Sequence, residues 1–220
     1  MSANHSLLLF EGDMTSMLPA LFECFDLTTT GTEETAKGLA EIWEFTNWPR
    51  RSRPRNVIHK AVLYNGTWTA VLDREMNMVL DKDRCIACAE RFGVKIFGYM
   101  IESVSGTCAM YLYAPEVVRG LNIQNFEILE DVGDPLPHEN GITTEDMLND
   151  GAMRISRRLG FSDALFAHPT SRIKIVGMVD PARTLDHGLS SPGSKQARKT
   201  ATAVKTAPVT RVEKPWWKLW

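Results

Sequence analysis

Cys85 and Cys88 stand three residues apart, a spacing that also occurs in redox and zinc sites. A redox pair needs a thiol of lowered pKa, and the two aspartates just before this pair oppose a thiolate. A structural zinc site needs two more ligands. The sequence has no second such pair of cysteines and no paired histidines, although Cys24 and Cys108 could supply them. We therefore expect Cys85 and Cys88 to be free thiols on the core side of a helix.

The other residues that could do chemistry are scattered along the chain. No nucleotide-binding glycine loop, nucleophile elbow or zinc-protease motif is present. A lone carboxylate such as Glu102 is a weak sign of catalysis. We expect no catalytic residue, metal or cofactor. The alternative is an enzyme of unknown class, with a site assembled from Cys85, Cys88, Glu102 and the histidines, which are His5, His59, His138, His168 and His187.

The chain ends in KPWWKLW, which holds three of its six tryptophans. Tryptophan favours membrane interfaces, and nearby lysines favour anionic lipid. Tryptophan is also a common anchor in protein grooves. A third alternative is that the tail packs on its own domain. We expect a partner-binding tip formed by Trp216, Trp217, Lys218, Leu219 and Trp220.

Charge is divided unevenly along the chain. Residues 186–220 contain seven Lys or Arg and two acidic residues, so their net charge is +5. Because the whole chain has a net charge of −2, the preceding 185 residues carry −7. An acidic body disfavours nucleic acid as a partner. The basic tail favours an anionic membrane surface or a protein. Four arginines in residues 47–56 indicate a surface loop or, alternatively, an anion-binding loop.

Period-two and turn signals predict most of the elements. The segments SLLLF, HKAVLY, TWTAVLD and RIKIVGMVD favour strands, and two or three more are expected between residues 94 and 124. Asn65-Gly66 predicts a type I′ hairpin, with Val62, Tyr64, Trp68, Ala70 and Leu72 as candidates for burial. Ser105-Gly106 predicts a further turn.

Capping signals predict four helices. The first covers SMLPALFECF, with Asp13 or Thr15 as cap, and the second begins at Thr32. The third starts at the acidic DKD segment and stops at Gly93. The fourth covers TTEDMLNDGAMRISRRLGF, with Thr144 as cap and a glycine stop.

Three short motifs resemble a bacterial family of uncharacterised domains that are similar to immunity-type α+β modules. The family patterns are dGWtvvlD, vSGt and GepLPeE. The resemblance covers residues 57–160 and implies a partner-binding or housekeeping module, with no catalytic residues to carry over. The matching residues are Gly66, Trp68, Thr69, Asp73, Ser105, Gly106, Thr107, Gly133, Asp134, Pro135, Leu136, Pro137 and Glu139.

These observations predict an α+β fold with an antiparallel sheet partly covered by helices. Residues 1–181 form one domain, 182–213 a disordered basic linker and 214–220 the aromatic tip. With no apolar run of about 20 residues and no basic leader, we expect a cytoplasmic protein, and contact with the inner face of the membrane is one of the alternatives left open for its tail. Its expected function is to bind a protein partner without catalysis, as an immunity or adaptor module does. The sequence leaves the oligomeric state open.

Overall fold

The computed structural model describes residues 4–38, 40–42, 56–76, 78–102, 104–168 and 171–181. Nine strands form one antiparallel sheet in the order β2-β9-β3-β4-β1-β5-β6-β7-β8. The strands are β1 Asn4–Glu11, β2 Thr28–Ala36, β3 Val57–Tyr64, β4 Trp68–Leu72, β5 Ile96–Glu102, β6 Thr107–Tyr113, β7 Val117–Gln124, β8 Glu127–Val132 and β9 Ile173–Val179.

Helices cover both faces of the sheet. The α1 face carries α1 (Leu18–Glu23) and α2 (Lys82–Phe92), and the α4 face carries α3 (Thr144–Met147) and α4 (Gly151–Arg158). Side chains alternate along a strand, so each strand contributes to two cores. Every residue of β4 is consequently buried. The predicted antiparallel sheet with helices packed on it is confirmed, but the sheet dominates, and the described helices are too few and too short for a clear α+β fold.

The hairpin between β3 and β4 is confirmed, but its turn type differs from the prediction. Only Gly66 has positive φ, at +99°, and it is the first of the two central residues. That pattern belongs to a type II′ turn, because type I′ needs positive φ at both positions. Asn65 precedes the turn, and its Oδ1 accepts hydrogen bonds from the amides of Thr67 and Trp68 at 3.0 and 2.8 Å. Tyr64 is half-buried, whereas the other four candidates are buried.

The third predicted helix is confirmed as α2. The Asp81 side chain caps it by accepting a hydrogen bond from the Arg84 amide, and Gly93 ends it in the left-handed conformation. The fourth helix is two helices, α3 and α4, which the turn at residues 148–150 separates. Its cap is Thr143 rather than Thr144, in a reciprocal capping box with Asp146. The first helix begins without either proposed cap, and its proline lies in the first turn as expected.

The second helix does not begin at Thr32, because residues 28–36 form strand β2. Five β-branched threonines favour the extended chain there, and β2 hydrogen-bonds to β9 from Thr28↔Val179 to Ala36↔Ile173. Helical backbone begins at residues 40–42. The arginine-rich loop of residues 47–55 and the tail of residues 182–220 lie outside the described residues.

Candidate functional site

Strand β8 is the last strand in the sheet order, and no described strand pairs with its outer edge. Only Glu130 of its six residues is half-buried, and the other five are exposed. Six of the seven exposed large hydrophobic residues in the described chain lie on or beside this strand. We call them the β8 patch, which consists of Val104, Val118, Phe126, Ile128, Leu129 and Val132.

Phe126 is held in the patch by an unusual turn. Asn125 and Phe126 connect β7 to β8 with φ of 51° and 65°, both in the left-handed region. That region disfavours a bulky residue, and glycine is preferred there. The Phe126 amide donates to the Gly106 carbonyl at 3.1 Å. Its ring lies so close to Gly106 that an added Cβ would stand 2.6 Å from it, yet Phe126 is 69% exposed.

Glu130 anchors β8 to the α1 face. Its carboxylate accepts hydrogen bonds from the Lys82 ammonium and from the Tyr111 hydroxyl, the latter at 2.7 Å. The Lys82 ammonium also lies 4.9 Å from the centre of the Tyr111 ring. Burial acts to raise the pKa of Glu130, but the hydrogen bonds from Lys82 and Tyr111 outweigh it and lower the pKa. The carboxylate therefore stays ionised and holds the strand in place.

Arg119 anchors the same strand from the opposite face. It is buried, donates to the Asp131 carboxylate, and reaches the Val132 carbonyl at 3.1 Å. It also forms a two-point contact with Glu139 at 2.8 and 3.0 Å. The hydrogen bonds to Glu139 and Asp131 raise the pKa of Arg119, so the guanidinium remains charged. Side-chain contacts on both faces of the sheet therefore hold β8 in place.

The exposed edge is also acidic. Residues 127–134 contain four acidic residues and no Lys or Arg. Glu130 and Asp131 belong to the two anchors, whereas Glu127 and Asp134 are exposed and form no ion pair with a described residue. Ile123 pairs with Ile128 and Asn122 with Glu130, so Leu129 is an extra residue in a bulge. An edge with these properties can accept an extended chain that brings apolar and basic side chains.

A second charged cluster is buried on the α1 face. Lys60 of β3 donates to Asp73, which follows β4, and to Glu75. Asp73 also accepts a hydrogen bond from the Met78 amide at 2.8 Å. Burial acts to lower the pKa of Lys60, but the two carboxylates raise it above its usual value. A charged, fully buried lysine is a poor nucleophile, and this cluster fixes the segment after β4.

Two unpaired polar groups meet on the α4 face. The rings of His5 and Tyr99 lie 5.6 Å apart, and His5 Nε2 and Tyr99 Oη are buried without a hydrogen-bond partner. Burial lowers the pKa of His5, and the charge of Asp163 partly offsets this effect. Burial also raises the pKa of Tyr99. His5 is therefore neutral near pH 7.

The cysteines occupy the positions expected for core residues. Cys85 and Cys88 are buried on the inner side of α2, and all four cysteines are free. Burial raises the pKa of both thiols, and it raises the pKa of Cys108 to about 12. Within the described residues, no group of three or more His, Cys, Asp or Glu side chains is placed to hold a metal ion.

The residues of the alternative enzyme site are divided between the two faces of the sheet. Glu102 ends β5 and accepts a hydrogen bond from Ser105 at 2.8 Å. His5 shares the α4 face with Tyr99, whereas Cys85 and Cys88 lie on the α1 face. His138 lies in the short 3-10 turn after β8.

The predicted docking tip, Trp216, Trp217, Lys218, Leu219 and Trp220, lies outside the described residues, as does His187. In the part of the chain that is described, no helix has the length and apolarity to cross a membrane.

Several residues of the family resemblance have clear structural roles. The Trp68 indole donates to the Leu159 carbonyl at 2.8 Å and ties the hairpin to the end of α4. Gly106 makes room for the Phe126 ring, and a Cβ on Gly133 would lie 2.1 Å from the Val118 carbonyl oxygen. Comparison of the chain with protein-family models, curated proteins and solved structures finds no match.

Proposed function

We propose that the chain is a non-catalytic protein-binding module of the immunity or adaptor type, and that the β8 patch accepts an extended segment of a protein partner. The clustering of six of the seven exposed large hydrophobic residues at one sheet edge carries this proposal. Single exposed hydrophobic residues are ordinary, whereas several of them along one sheet edge favour an interaction surface.

The edge supplies two kinds of contact to such a partner. The outward backbone groups of β8 can extend the sheet by one strand, and the apolar side chains beside them can select the partner sequence. The exposed carboxylates Glu127 and Asp134 favour a basic segment. The same charges and the bulge at Leu129 disfavour pairing with the like edge of a second copy.

The tail provides a second docking element in this proposal. Its tip, Trp216, Trp217, Lys218, Leu219 and Trp220, combines tryptophan anchors with positive charge. A groove on a protein partner is the occupant that we propose for it. Contact with anionic lipid at the inner face of the membrane, in a cytoplasmic protein, is the other candidate, and such a short segment would bind lipid weakly.

A random-peptide selection against the full-length chain tests the β8 edge. We expect the selected peptides to be extended and rich in Lys or Arg. Their binding should be lost in Leu129→Lys, which places a charge on the exposed bulge. Met17→Lys is the matched control, because Met17 is the exposed large hydrophobic residue of the described chain that lies outside the patch. Peptides that bind wild type, Leu129→Lys and Met17→Lys equally would contradict the proposal.

A further inference from the structure

We propose that the β8 edge is covered by the basic, tryptophan-bearing end of the same molecule, residues 209–220, which the partner must displace. This inference rests on the proposed function, because it names the segment that competes for the same edge. Three observations carry it, namely the place where the chain leaves the sheet, the length that follows, and the match in chemistry.

The chain leaves the sheet at the end where Phe126 lies. The strand registers place Ile175 of β9 in line across the sheet with Asp131 of β8. The last residue of β9, Val179, lies four residues C-terminal to that line. The first residue of β8, Glu127, lies four residues N-terminal to it. Because the two strands run in opposite directions, both residues lie at one end of the sheet, and the Phe126 turn adjoins Glu127.

The length of the tail matches the distance it must cover. β9 and β8 are seven strand steps apart, which is about 33 Å at about 4.8 Å a step. About 30 residues separate Pro181 from residue 211, and a coil of that length has a typical end-to-end distance of about 30 Å. Effective concentration is highest when a linker's typical length equals the span. An intramolecular contact is thus favoured over one between copies at ordinary protein concentrations.

The chemistry of the two surfaces is complementary. Residues 209–220 contain Arg211, Lys214 and Lys218 against one glutamate, whereas residues 127–134 carry four acidic groups and no basic one. The tail also brings Trp216, Trp217 and Trp220 to an edge that exposes Phe126 and five aliphatic side chains. No segment of comparable size in the chain joins positive charge to three tryptophans.

Such a cover would weaken the binding of a partner without preventing it. If the effective concentration of the tail at the β8 edge is about 1 mM and its dissociation constant is about 0.1 mM, the partner binds about tenfold more weakly. Release of the edge would at the same time free the tryptophans for a groove on the partner. The contact then couples the two docking elements of the proposed function.

The test compares the full-length wild type with a variant carrying Trp216→Ala, Trp217→Ala and Trp220→Ala. We expect backbone amides of β8 to exchange hydrogen about tenfold faster in the triple variant, at every protein concentration. A basic peptide selected on wild type should bind that variant about tenfold more tightly. Leu189→Ala, a truncation within the linker, is the control and should match wild type in both measurements.

Equal β8 exchange in wild type and the triple variant would overturn this inference. Protection of β8 that grows with protein concentration would overturn it as well, because it would show a contact between copies. The exchange measurement needs no partner, so it stands even if no peptide is selected, a result that counts against the proposed function alone. If a peptide binds at β8 while exchange is unchanged, only this inference fails.

Discussion

Replacement of Phe126 by glycine should separate folding from binding. Phe126 has a φ of 65°, a region that costs a residue with a side chain about 1–2 kcal/mol and costs glycine almost nothing. The residue is 69% exposed, so most of its surface already faces solvent. A strained backbone that holds an exposed ring has a physical rationale if the ring binds something.

The magnitude follows from three contributions. Loss of the ring costs about 0.5–1 kcal/mol, about a third of the value for a fully buried phenylalanine. Phe126→Ala bears this cost and keeps the strain. Phe126→Gly bears it too, relieves about 1–2 kcal/mol of strain, and gives back about 0.4–1 kcal/mol through the greater freedom of the unfolded chain. The glycine variant should therefore be about 1 kcal/mol more stable than the alanine variant and close to wild type.

Urea denaturation of the three proteins measures these differences, and thermal melting should show about 2–4 °C between the two variants. Both variants should lose affinity for a peptide selected on wild type, because both lack the ring. An alanine variant as stable as or more stable than the glycine variant would refute the strain argument. A glycine variant that binds the peptide as wild type does would refute the role of the ring.

Further predictions concern the core and the hairpin. Gly66→Val should cost about 1–3 kcal/mol in unfolding free energy, all of it from the φ of +99°, because an added Cβ there meets nothing within 4 Å; urea denaturation checks it. Lys60→Met leaves the Asp73 carboxylate buried without its cation and should lower the unfolding free energy by about 3–5 kcal/mol, as measured by urea denaturation. An unchanged denaturation midpoint would argue against the buried ion pair. Burial lowers the pKa of His5, so the unfolded chain binds a proton more readily than the folded protein does. The unfolding free energy should therefore fall as the pH drops below about 6.5. Measurements at about pH 7.5 and about pH 5.5, on either side of that value, should show a smaller fall in His5→Phe than in wild type.

Local signals in the sequence predicted those elements that local chemistry decides. Helix α2 is an example, because Asp81 accepts the Arg84 amide at its start and Gly93 adopts positive φ at its end. The β3–β4 hairpin is another, since its glycine supplies the required φ. The burial of Cys85 and Cys88 was predicted from their three-residue spacing, which places both on one face of that helix.

Long-range pairing explains the elements that were missed. Thr32 and the glutamates after it resemble a helix start, but β9, some 140 residues later, pairs with that segment as a strand. The insertion of β1 between β4 and β5, and of β9 between β2 and β3, likewise has no local signal. The edge position of β8, our proposed docking edge, was missed for the same reason. The segment EILEDV predicts a strand, but only the strand order shows that nothing described covers its outer side.

Hydrogen exchange on the full-length chain with a saturating basic peptide, selected on the wild type, tests the central claim most directly. The sheet has two edges, β8 and β2, and β2 provides an internal control because it is also largely exposed. The account predicts that the peptide slows amide exchange in β8 and leaves β2 unchanged, and that Leu129→Lys abolishes the effect. Protection at β2 or elsewhere, with none at β8, would contradict it.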